Sequence, residues 1–131
     1  MELLNLIQEQ LLKSADITSV IANRLYIGEM ATLKGVQFPC INIELNPGAL
    51  IEKLPGYAEH YFRMWVWGKT RDSSDGVYGA VMSEYHNMTI TADDLSVRAN
   101  INEVSRPIYN YDPTVESYFL MARWRAFLIT I

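Results

Sequence analysis

An α/β (α+β) fold is predicted: an antiparallel or mixed β-sheet of about four to five strands packed with two main helices, in a single domain spanning residues 1–131. Three observations predict it. The stretch Tyr57 to Lys69, YAEHYFRMWVWGK, alternates with a period of two, so successive side chains point to opposite faces of a strand. Two other stretches, Glu2 to Lys13 and Val77 to Met88, repeat apolar residues at helical spacing instead. Val115 to Ile131 is apolar on both faces over much of its length, as a central strand should be.

The N-terminal helix follows from Leu3, Leu4, Ile7, Leu11 and Leu12 on one side, with Glu2, Asn5, Gln8, Glu9 and Lys13 on the other. Ser14-Ala15-Asp16 interrupts it. Asp16 is the expected cap of a short second helix, Ile17 to Asn23, with Val20 and Ile21 continuing the apolar stripe. Arg24 to Ile27 is extended and Gly28 ends it. After a connection containing Gly35, Phe38-Pro39 opens a strand from Cys40 to Asn46. Ile41, Ile43 and Leu45 share one of its faces, and Asn42, Glu44 and Asn46 make the other polar.

Asn46-Pro47-Gly48 and Pro55-Gly56 are turn signals, and between them lies ALIEKL, residues 49–54. Apolar residues on such a loop are costly to leave in water, so the segment either meets a partner surface or folds back onto its own core. After the central strand, Asp72, Ser73, Ser74 and Asp75 form a cluster of N-cap residues. They precede a helix running to about Asn87, packed through Val77, Val81 and Tyr85. Gly79 offers that helix a close approach to the sheet. Leu95 to Val104 alternates weakly, and Ser105 to Thr114 holds Pro107, Tyr109, Tyr111 and Pro113. The closing strand puts Tyr118, Leu120, Ala122, Trp124, Ala126 and Leu128 on one face. Phe119, Met121, Arg123, Arg125, Phe127 and Ile129 lie on the other.

Composition narrows the function classes. Half the residues are apolar and a fifth charged, which is ordinary for a globular chain able to bury a core. The net charge of −4 argues against a protein devoted to gripping nucleic acid. A single cysteine, Cys40, gives no intrachain disulfide and no cysteine metal cluster, which suits a reducing cytoplasm. The N-terminus lacks the basic start of a signal peptide and the apolar length of a membrane span.

Chemistry finds no foothold in the residues, so no enzyme, cofactor or metal is expected. His60 and His86 stand alone, without a third ligand or a partnered base. His60 reads as a hydrogen-bonded structural residue on the core side of its strand. His86 reads as a solvated residue near a helix C-terminus. Asp93-Asp94 and Asp72/Asp75 lack the spaced oxygen ligands of a calcium loop, Cys40 reads as an inert buried thiol, and no glycine-rich phosphate loop is present.

The two faces of the central strand carry the remaining information. His60, Phe62, Met64 and Val66 suit a core, with Ile41, Val81 and Leu120 as expected neighbours. Glu59, Tyr61, Arg63, Trp65, Trp67 and Lys69 mix aromatics with charge, the composition enriched where one protein meets another. Arg123 and Arg125 either reach water or pair with carboxylates such as Glu44 or Glu59.

The landmarks TSVIANRLYIGEM, VQFPCINIEL, EHYFRMWVWGKTRDSSDGVYGAVMSEYHNM and SYFLMARWRAFLITI occur in a telling order. A helix ends near Arg24-Leu25-Tyr26, Phe38-Pro39 opens a strand, and an aromatic strand leads into a helix opened by Asp72 to Gly76. In this the chain resembles the tail-completion and tail-terminator (head–tail joining) proteins of long-tailed bacteriophages and prophages. The resemblance implies a structural virion protein of the tail or neck, present in the host cytoplasm during assembly. It implies a homo-oligomeric ring, commonly a hexamer, that caps the tail tube, stops its polymerisation and offers a surface for head joining. Its partners would be further copies of itself, the tail tube protein and a head-completion or connector protein, with DNA passing through the lumen without specific binding. On that footing Tyr61, Arg63, Trp65, Trp67, Arg123 and Arg125 are the expected subunit interface, and Ala49, Leu50, Ile51 and Leu54 an arm that orders on assembly. A head-side neck adaptor is the alternative, and a small bacterial ligand-binding α/β domain a further one.

Overall fold

The leucine spacing of the N-terminus produces the first element of the computed structural model, which describes residues 2–30, 35–45, 51–54, 57–93 and 96–130. Helix α1 (Glu2–Leu11) buries Leu3, Leu4, Leu6, Ile7 and Leu11 and exposes Asn5 and Glu9. Helix α2 (Ala15–Ile21) is capped by Ser14, whose hydroxyl accepts from the Ile17 amide at 3.3 Å. Asp16, the expected cap, sits in the first turn instead, because Ser14 is the residue whose backbone is still extended. Ile17 and Ile21, one turn apart, point inward; Val20, expected in that stripe, is exposed.

Eight strands follow α1 and α2 among the described residues, more than the sequence pattern predicts. They are β1 (Leu25–Ile27), β2 (Cys40–Leu45), β3 (Ile51–Leu54), β4 (Tyr57–Gly68), β5 (Met88–Thr91), β6 (Val97–Glu103), β7 (Ile108–Asp112) and β8 (Ser117–Thr130). Helix α3 (Arg71–Tyr85) lies between β4 and β5, so α1 and α3 are the two main helices and α2 is the short one expected between α1 and β1. The sheet order is β1-β2-β4-β8-β6-β5, with β3 paired to β4 and β7 to β8. The sheet is mixed, since β1 runs parallel to β2 and every other pairing is antiparallel. As its two apolar faces require, β8 is central. It pairs along one edge with the length of β4, and along the other with β6 and β7 in turn.

This sheet curls round α1. Six strands at their ordinary spacing would place β1 and β5 roughly 24 Å apart in a flat sheet, about twice the width of a helix. Yet α1 packs against both. Its glutamines serve the two edges: Gln8 Nε2 donates to the Leu25 carbonyl at 2.7 Å, and Gln10 Nε2 to the Thr91 carbonyl at 3.1 Å. Unpaired strand edges invite pairing with other chains, and here each has a carbonyl engaged by the same helix.

All three helices contribute to one apolar cluster on one face of the sheet, which includes Phe62, Met64, Val66, Ile41, Val81, Leu120 and Trp124. The core neighbours expected for β4 are therefore in place. Thr70 caps α3 through its hydroxyl, accepting from the Ser73 amide at 3.1 Å, so the Asp72–Asp75 cluster occupies the first turns rather than the cap. Gly79 faces open space and makes no close approach; Gly68 does, since a Cβ there would lie 3.1 Å from the Ser74 amide. Trp124 Nε1 donates to the Tyr78 hydroxyl (3.1 Å), which in turn donates to Glu103. His86, at the C-terminal cap of α3, accepts from the Glu103 amide through Nδ1 at 3.0 Å, tying the helix end to β6. His60 is buried, which lowers its pKa, and it lacks the expected hydrogen bond among the described residues. No helix of the described residues is long and apolar enough to cross a membrane.

Candidate functional site

With α1, α2 and α3 on one side, the opposite face of the sheet has no helical layer among the described residues. β2, β4 and β8 supply it through the alternate residues of their registers. Across the three strands the rows read Asn42–Trp65–Met121, Glu44–Arg63–Arg123 and, on β4 and β8, Tyr61–Arg125. Antiparallel pairing thus brings together all six residues expected at a subunit interface: Tyr61, Arg63, Trp65, Trp67, Arg123 and Arg125.

Their environments differ. Trp67 is 4 % exposed and belongs to the interior: Phe38 packs edge-on at 5.7 Å and Phe119 at 4.9 Å, and Nε1 donates to Asn42 Oδ1 at 2.8 Å. Asn42 passes the link on, donating from Nδ2 to the Gly28 carbonyl at 3.1 Å. Trp65 is half-buried, stacked on Trp67 at 6.2 Å and tilted against Phe119 at 5.3 Å. Its indole donates to Glu44 Oε1 at 3.2 Å, and the same oxygen takes the Arg63 Nη2 ion pair at 3.0 Å. Glu44, expected on a water-facing side, is only 7 % exposed, and Asn42 only 1 %. The aromatic shelf and loop residues 28–30 cover that side of β2, which the strand's own alternation does not reveal.

The arginines divide the work. Arg63 takes Glu44. Arg125 donates from Nη2 to Asn102 Oδ1 at 3.2 Å and lays its guanidinium over the Phe127 ring at 4.8 Å. Arg123 is exposed to water. The buried Nε atoms of Arg63 and Arg125 have no hydrogen-bond partner among the described residues. Tyr61 donates to Glu59 Oε1 at 2.8 Å, and Glu59 is itself buried. A cleft of about 530 Å³ opens on this face, lined by Glu44, Arg63, Trp65 and Phe119 together with Glu29, Met30, Asp112 and Val115.

Rings with apolar faces, a bonded carboxylate and guanidinium donors suit contact with another surface. Burial pushes the Cys40 thiol up to about 12, which keeps it protonated and unreactive. Among the described residues, no group of three or more His, Cys, Asp or Glu side chains is placed to hold a metal ion. Sequence reasoning offered Glu44 to Arg123 or Arg125, whereas Arg63 takes it, and it did not count Asn42 or Phe119 among the interface residues. The odd positions of the last strand already carried Phe119; the register that sets it beside Trp65 and Trp67 is not written in either strand alone.

Of the expected arm, residues 51–54 form β3, paired with β4 through Ile51↔Glu59, Glu52↔Ala58 and Leu54↔Tyr57. Ala49 and Leu50 lie outside the described residues, as does Asn46.

No protein-family model matches the chain, and no curated protein sequence does. Among solved structures, the fold is similar to that of a chain in the virion of a native gene transfer agent (GTA) particle. The TM-score is 0.66 at 13 % identity, covering 93 % of this chain and 91 % of that one.

Proposed function

We propose that this chain is a structural component of a phage-like virion, and that it forms the ring that ends the tail tube and receives the head. The observation that carries the reading is the fold itself: nearly the whole chain superposes on nearly the whole of a chain from a GTA virion. The order of landmarks along the sequence supports the finer assignment to the tail-terminator group. A sheet face without a helical layer among the described residues, bearing Tyr61, Arg63, Trp65, Arg123 and Arg125, supports a role in assembly.

A ring requires a contact that closes on rotation, with one patch on a subunit meeting a different patch on the next. The open sheet face supplies the first patch. Further copies of the chain, the tube protein on one rim and a connector protein on the other are the partners of this reading, with DNA passing through the lumen. The segment 49–54, of which residues 51–54 pair with β4, is its assembly arm; greater resistance of that segment to proteolysis in the ring than in the monomer is the expected result.

Gold-labelled antibody against the chain, applied to particles released from a producing host, tests the assignment by electron microscopy. Label at the head–tail junction supports it. Label confined to the tail tip, or absent from particles, rejects it. A head-side adaptor is distinguished by tailless heads, which retain the label only if the chain belongs to the head.

A further inference from the structure

We draw no further inference here: the strongest candidate, the cleft lined by Trp65 and Phe119 on the open sheet face, has carboxylates at Glu29, Glu44 and Asp112 that balance the arginines of the face around it, and nothing in the structure shows what covers it.

Discussion

Arg63 stands directly across the β4–β8 ladder from Arg123, and Glu44 is the carboxylate paired with Arg63. Side chains so placed have Cβ atoms about 5 Å apart, and like charges there are destabilising. Within the isolated chain the arrangement is a defect. Such a cost is commonly kept where a surface serves function.

Arg123→Thr separates the two. The substitution is expected to leave the monomer equally stable or more so, by up to about 1 kcal/mol, and to weaken self-association. Chemical denaturation and sedimentation on the same preparation check both halves. A variant that melts earlier would show that Arg123 supports its own fold.

The two tryptophans are expected to part company as well. Trp67 is enclosed by Phe38, Phe119 and Trp65, so Trp67→Ala should cost about 3–5 kcal/mol of folding stability. Trp65 is half-buried at the cleft wall, and Trp65→Ala should cost the fold less and association more. Urea midpoints for both variants, set beside their association constants, decide this.

Asn42 holds Trp67 to the loop at Gly28. Asn42→Leu removes an acceptor from the buried indole and a donor from the Gly28 carbonyl, an expected cost of about 1–3 kcal/mol. The check is a lower urea midpoint with an unchanged slope, since little surface exposure is altered.

Alkaline pH should unfold the protein in a defined order. Burial raises the Cys40 thiol from 9.0 to about 12, so the folded state keeps a proton that the unfolded chain releases. The stability tied to this group is complete below pH 9 and is lost as pH rises toward 12, at about 1.4 kcal/mol per pH unit. Tyr78, raised by burial and by its bond to Glu103, adds a second loss beginning above its ordinary 10.0. Cys40→Ala is therefore expected to move the onset of the decline from near pH 9 to near pH 10, read by thermal melts across the range.

Much of this structure is legible in the chain, for identifiable reasons. Alternation in Tyr57–Gly68 and apolar residues on both faces of Ser117–Thr130 mark two long strands; Phe62, Met64 and Val66 on the first and Leu120, Ala122, Trp124 and Ala126 on the second are buried, while Tyr118 is exposed. β5 is hidden because Met88 falls at helical spacing from Val81 and Tyr85. The helix ends at Tyr85, and Asn87 adopts a φ of 58°, the left-handed turn that Asn tolerates after a helix. β7 is hidden because Pro107 and Pro113 flank it, yet Tyr109 and Tyr111 still pair with Leu120 and Tyr118. The candidate site is legible only in part. Alternation places Tyr61, Arg63, Trp65 and Trp67 on one side, but only the three-dimensional enclosure by Phe38 and Phe119 shows that Trp67 faces inward. Asn42 and Glu44 look like solvent-facing polar residues until the indoles that donate to them are in view.

The mass of the purified chain in solution, followed by electron microscopy of the same sample, bears most directly on the ring. A closed assembly of fixed copy number with an open lumen, dissociating as salt is raised, is the expected outcome. A chain that remains strictly monomeric at high concentration and low salt would contradict the ring.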